Sequence, residues 1–165
     1  MSYPEPRYHG ETGEASGTLR RADTPPDITY ASAGGVRAHY LATGAMTGHQ
    51  FGLYHWDMGP APSGPGPHFH RTITESFFVL SGTVRLYDGD KWVDAAPGDF
   101  LFIPEGGIHG FRNESGAPAS MLLLFTPGAP REGYFEGLAE MAAGRWQPDE
   151  DEYADFCLRH DTYWL

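Results

Sequence analysis

Residues 67–75 read Pro67-His68-Phe69-His70-Arg71-Thr72-Ile73-Thr74-Glu75. One residue separates the two histidines, and a glutamate follows five positions after the second. In extended chain, positions i and i+2 point to the same face, so His68 and His70 aim two imidazoles at one place. A turn after Arg71 brings Glu75 to the same place. Two nitrogens and a carboxylate are most of a donor set for a first-row divalent metal.

The flanking sequence fits a scaffold of short strands. Gly59 to Pro67 reads Gly-Pro-Ala-Pro-Ser-Gly-Pro-Gly-Pro, a stiff loop that delivers the chain into His68. Before it, Val36–Thr43 and Phe51–Met58 are rich in aromatic and β-branched residues and predict strands. Regular structure is expected to start near Gly35. After Glu75, the apolar run Ser76–Leu80 predicts a strand buried on both faces. Thr83–Tyr87, Lys91–Asp94, Phe100–Ile103, Ile108–Arg112 and Ser120–Thr126 follow as strands. The turns between them include Asp88-Gly89-Asp90 and Ala96-Pro97-Gly98-Asp99. Strands at this spacing predict an all-β sandwich or barrel.

The tail changes period. Tyr134, Phe135, Leu138, Met141 and Ala142 recur at helical spacing, as do Tyr153, Phe156, Cys157 and His160 behind the acidic start Asp149–Glu152. Two helices are expected, packed outside the barrel or over its mouth. Cys157, in that apolar stripe, reads as a packed thiol.

A second block supplies a fourth donor. In Gly98-x5-Pro104-x-Gly106-x2-His109-x3-Asn113, a strand leads into a tight turn, and His109 emerges on the return towards His68 and His70. The two blocks, His68-x-His70-x4-Glu75-x6-Gly82 and Gly98 to Asn113, resemble the two motifs of the cupin superfamily. The leading glycine of the first motif falls at Pro62, with Gly64 and Gly66 close by. The resemblance covers 62–113 directly and about 36–126 with the flanking strands. It implies a cupin-type jelly-roll β-barrel over 36–126; residues 1–35, rich in Gly, Pro, Ser, Thr and charges with little periodicity, are expected to form an extended, partly flexible N-terminal arm. Short C-terminal helices follow in an extension at 127–165. It also implies that His68, His70, Glu75 and His109 ligate one divalent transition metal: Fe, Ni, Mn, Co, Cu or Zn.

Three neutral imidazoles and one carboxylate leave a net charge of +1 on such an ion, and two coordination positions open. This favours an anionic oxygen ligand such as an enolate. Within the superfamily, a stand-alone chain with a helical tail is similar to quercetin 2,3-dioxygenase-like cupins. That likeness implies cleavage of a flavonol, or a related enolisable aromatic or diketone, by dioxygen. Glu75 would then also hydrogen-bond the substrate hydroxyl as the catalytic group. Phe77, Val79 and Phe111 share the parity of the ligands and are expected in the pocket wall. Tyr54 and Trp56, or else Phe51, Leu53 and His55, form the opposite wall. The same scaffold accommodates an isomerase, lyase or cyclase, or a non-catalytic small-molecule binder. Arg71, Arg85 and Arg112 look too outward to clamp a phosphate.

The chain of 165 residues has one cysteine and a formal charge of −11. That charge disfavours nucleic acid and anionic membranes as partners. No signal peptide or spanning segment is read, so a cytoplasmic location is expected. The family likeness also predicts a homodimer.

Overall fold

The structure is a computed structural model that describes residues 2–31 and 35–165. Met1 and residues 32–34 of the expected arm lie outside the described residues. The elements in chain order are β1 (Ile28–Thr29), β2 (Arg37–Ala42), β3 (Gly52–Met58), β4 (His68–Phe69), β5 (Thr74–Ser81), β6 (Val84–Tyr87), β7 (Trp92–Ala95), β8 (Phe100–Ile103), β9 (Gly110–Arg112), β10 (Ala119–Thr126), α1 (Glu132–Ala142), α2 (Glu150–Arg159) and β11 (Tyr163–Trp164).

All strand pairings are antiparallel, in three sheets ordered β1-β2-β3-β10-β5-β8, β7-β6-β9 and β11-β4. Single bridges at Ser63–Asn113 and His68–His109 tie the long loop and β4 to the β9 side. The core lies between the large sheet and β6–β9. Phe77 from β5 meets Phe111 from β9 with ring centroids 5.8 Å apart, and Trp56 from β3 meets Phe111 at 6.2 Å. This is the all-β, two-sheet arrangement expected from the strand spacing, and it fits the jelly roll that the resemblance implies.

Two expectations are corrected. Regular structure begins at Ile28, ahead of Gly35, because β1 pairs with β2 and buries Ile28 and Tyr30. The strand at Ser76–Leu80 is buried on one face only. Phe77 and Val79 point inward, whereas Phe78 and Leu80 are 39% and 40% exposed. A continuous apolar run reads as two-sided burial, but among the described residues nothing fully covers Phe78 and Leu80. Phe78 sits opposite Phe100 on the edge strand β8, and Phe100 and Phe102 are also exposed.

The helical tail closes over one end of the barrel. Tyr54 of β3 donates its hydroxyl to Glu132 at the start of α1 at 2.5 Å. Asp149 caps α2: it accepts from the Glu152 amide, while the Glu152 carboxylate accepts from the Asp149 amide. The expected acidic helix start is therefore a capping box. Phe156 of α2 stacks on Tyr134 of α1 at 5.4 Å. The chain then returns as β11 along β4, and Cys157 is buried beneath Trp164, whose indole donates to its sulfur. Among the described residues, no helix is long and apolar enough to cross a membrane.

Candidate metal centre

His68 opens β4, His70 follows it, Glu75 lies on β5, and His109 immediately precedes β9. All four side chains are buried, and their donor atoms lie within 4.8 Å of one another. The His68 and His109 ring centroids are 4.4 Å apart, and His70 is 5.1 Å from each. Glu75 Oε2 lies 2.8 Å from His109 Nε2 and 3.1 Å from His70 Nε2.

The outward ring nitrogens are all engaged. Nδ1 of His68 donates to the Gly66 carbonyl at 2.9 Å, that of His109 to Gly107 at 2.9 Å, and that of His70 to Asp161 at 2.5 Å. These bonds fix the rings in the tautomer that turns Nε2 inward, the arrangement found around ligating histidines. Three inward lone pairs and a carboxylate in a buried space repel one another unless a cation sits among them. The donor set therefore fits a divalent first-row ion with positions left open, and a closed thiolate-rich structural site does not arise.

The electrostatics agree. Burial, together with the neighbouring His109, pushes His68 down to about 4, so it is a neutral donor at pH 7. Burial works to raise Glu75, but the charge and hydrogen bonds of His109 and His70 outweigh it and hold the carboxyl well below its usual range. Burial works to lower His109, but Glu75 outweighs it and raises the imidazole. In the polypeptide alone a proton on His109 thus partners Glu75, a role that a metal ion held by the cluster would take over.

Asn113, at the end of the second motif, holds the loops beside the site. It donates to the carbonyls of Gly59 and Ala117 at 2.8 Å each and accepts from the Ser115 amide and hydroxyl. Gly64 provides close approach: its φ is +112°, and a Cβ there would collide with the Phe111 carbonyl.

The cluster opens into a cavity of about 250 Å³, with His68 and Glu75 in its wall. Of the expected pocket residues, Trp56 and Phe111 line it. Tyr54, Phe77 and Val79 are buried in the core behind that wall. The phase of β3 is settled in favour of Tyr54 and Trp56 inward, with Leu53 and His55 on the other face. Sequence reasoning missed several wall residues: Tyr30 from the arm, Ser63 from the stiff loop, and Trp164, whose ring lies 5.1 Å from that of His68. It also missed Arg131. Tyr134, Phe135 and Leu138 carried a signal, since their helical stripe needed a surface to cover, and that surface is the cavity mouth. Arg71, Arg85 and Arg112 are engaged with Tyr163, Glu114 and Trp92 away from the cavity.

A second group, His39, His55 and Asp57, gathers three half-buried donors on the outer face of β2 and β3. Its atoms are already paired: Asp57 with Arg37 at 3.3 Å, and His55 with Ser120 at 2.7 Å.

Residues 54–125, a little under half of the chain, match the family model of the cupin domain. Several known proteins are similar to parts of the chain. The quercetin 2,3-dioxygenase of Bacillus subtilis is 29% identical over 89 residues, 54% of this chain and 26% of that enzyme. A protein of Thermotoga maritima described as a predicted oxalate decarboxylase shares the fold, with a TM-score of 0.57 at 22% identity over 66% of this chain and 97% of that one. A cupin-superfamily sugar phosphate isomerase of Silicibacter pomeroyi has a TM-score of 0.54 at 27% identity, over 67% of this chain and 75% of that one. The chain spans between about a quarter and a half of the length of the curated relatives it matches.

Proposed function

We propose that the chain is a metal-dependent cupin dioxygenase of quercetinase-like type. It would cleave a flavonol, or a related enolisable aromatic or diketone, with dioxygen. His68, His70, Glu75 and His109 would hold the metal. The observation that carries this reading is the junction of the four-donor cluster with an aromatic-walled cavity, where His68 and Glu75 face the space that Trp56 and Phe111 enclose. The similarity to the Bacillus subtilis quercetin 2,3-dioxygenase supports it.

When bound, the metal supplies a Lewis-acid and redox centre at which an anionic substrate oxygen is stabilised. The chain's own residues do the rest. The three Nδ1 hydrogen bonds hold the rings in place. Trp56, Phe111, Phe125 and Phe135 offer flat apolar surface to an aromatic ring and exclude water from it. Glu75 is ionised at neutral pH, so it accepts a hydrogen bond from a substrate hydroxyl and is a weak base towards its proton.

A second reading, an isomerase, lyase or cyclase on the same centre, is favoured by the likeness to the sugar phosphate isomerase and by the arginine in the cavity wall. Dioxygen consumption separates the two. The protein is loaded in turn with iron, nickel, cobalt, manganese and copper and offered a flavonol and a panel of enolisable diketones. Uptake with one of these pairs is expected; no uptake with any of them overturns the dioxygenase reading.

A further inference from the structure

Arg131 is only 4% exposed, and it lies in the wall of the cavity that holds His68 and Glu75. Its Nη1 donates to the His160 carbonyl at 2.6 Å and to Thr162 Oγ1 at 3.3 Å. Its Nε is buried without any acceptor. Among the described residues, Arg131 has no carboxylate in ion-pair contact. Rings surround it instead: its Cζ lies 4.3 Å from the Tyr134 centroid, 5.2 Å from Phe125 and 5.7 Å from Phe135.

A buried cation needs a counter-charge. Aromatic faces attract a guanidinium but do not neutralise it. Glu75, the acidic group in the same wall, is committed to His70 and His109, and with a divalent ion present that cluster carries a net positive charge. With such an ion bound, the cavity would be cationic at the four-donor cluster as well as at Arg131, inside a chain of formal charge −11. Ser63 Oγ is a second buried polar atom of the same wall without a partner. Two orphan polar groups in a largely apolar wall describe a ligand with polar substituents at defined places.

We propose that Arg131 is the anion-recognition residue of this cavity and that the ligand is an aromatic acid, its carboxylate paired with the guanidinium and its ring held between the aromatic walls. The guanidinium fork suits bidentate pairing with a carboxylate. The inference deepens the reading of the cavity as the substrate site and rests on that reading alone, not on dioxygen chemistry.

The test is calorimetric titration of the purified full chain with 2-naphthoate and 2-naphthamide, which share a ring and differ in charge. The carboxylate is expected to bind about tenfold tighter or more than the amide. Arg131→Met, with fold checked by near-ultraviolet circular dichroism, is expected to bind both equally. Removing metal with EDTA is expected to leave the preference in place. Equal affinities in the wild type, no binding of either probe at millimolar concentration, or a preference that persists in Arg131→Met each overturn the proposal. So does a preference that vanishes with the metal, because the carboxylate would then sit on the ion. If Arg131→Met does not fold, Arg131→Lys decides: it should weaken naphthoate and spare naphthamide, and unchanged naphthoate binding overturns the proposal. Failure of dioxygen uptake leaves these binding results untouched, so the two readings fail separately.

Discussion

The carbonyl oxygen of Asp161 accepts the Nδ1–H of His70 at 2.5 Å, joining residues 91 apart in sequence. The Asp161 carboxylate meanwhile accepts from the Arg71 and Thr72 amides and from the Thr72 hydroxyl at 2.7 Å. Asp161 itself sits at φ 52°, a left-handed conformation that aspartate tolerates better than most residues. The end of the chain is therefore part of the scaffold of the candidate metal centre, and Trp164 of β11 packs against His68 just beyond Asp161.

Asp161→Ala should loosen this clasp and free the His70 ring. Metal affinity is expected to fall about 10–100-fold, the usual effect of losing a partner that orients a ligand. Chelator competition measures it. Asp161→Asn keeps an acceptor and suits the backbone, so it should lose less. Equal affinity in Asp161→Ala and wild type would show the tail to be a bystander.

How stability depends on pH can be read from His160, whose imidazole packs on Phe156 at 4.8 Å. Burial, then the charges of Arg131 and Arg159, hold it below its usual range. The folded state thus binds its proton less readily than the unfolded chain does. Its contribution is fully present above the unfolded value of about 6.5 and is lost as pH falls through the depressed folded value. Melting wild type against His160→Phe, which keeps the ring and removes the titration, should show a flat difference above about pH 7 and a relative loss by the wild type on acidification below about 6.5. A difference that is flat throughout contradicts this.

Phe78, Leu80, Phe100 and Phe102 form an exposed apolar stripe along β5 and the edge strand β8. We propose that a second copy of the chain covers it, since so contiguous a patch is unusual on a monomer. Sedimentation at micromolar concentration should give the mass of a dimer, and Phe100→Glu with Phe102→Glu should give that of a monomer. A monomeric wild type would refute the pairing.

The sequence made the four-donor cluster legible because its information is local. His68-x-His70 needs only strand parity to converge, and Pro104 and Gly106 mark the turn that returns His109. The clasp was not legible, because its acceptor is a backbone carbonyl that any residue could supply. Arg131 gave no signal either: a lone arginine after Gly128-Ala129-Pro130 looks like surface until the tail folds over the barrel mouth. The outward Phe78 and Leu80 were misread because an apolar run does not tell a covered face from an open one. Phe77 and Val79 had the right parity but lay too deep: inward direction follows from period two, whereas distance from the cavity depends on three-dimensional packing.

The central claim is that His68, His70, Glu75 and His109 hold one divalent metal ion. Elemental analysis of the purified chain and of His70→Ala, both grown in metal-supplemented medium, tests it most directly. The account predicts close to one metal ion per wild-type chain and essentially none in His70→Ala, with the variant still folded by far-ultraviolet circular dichroism. A metal-free wild type, or full occupancy in His70→Ala, would contradict it.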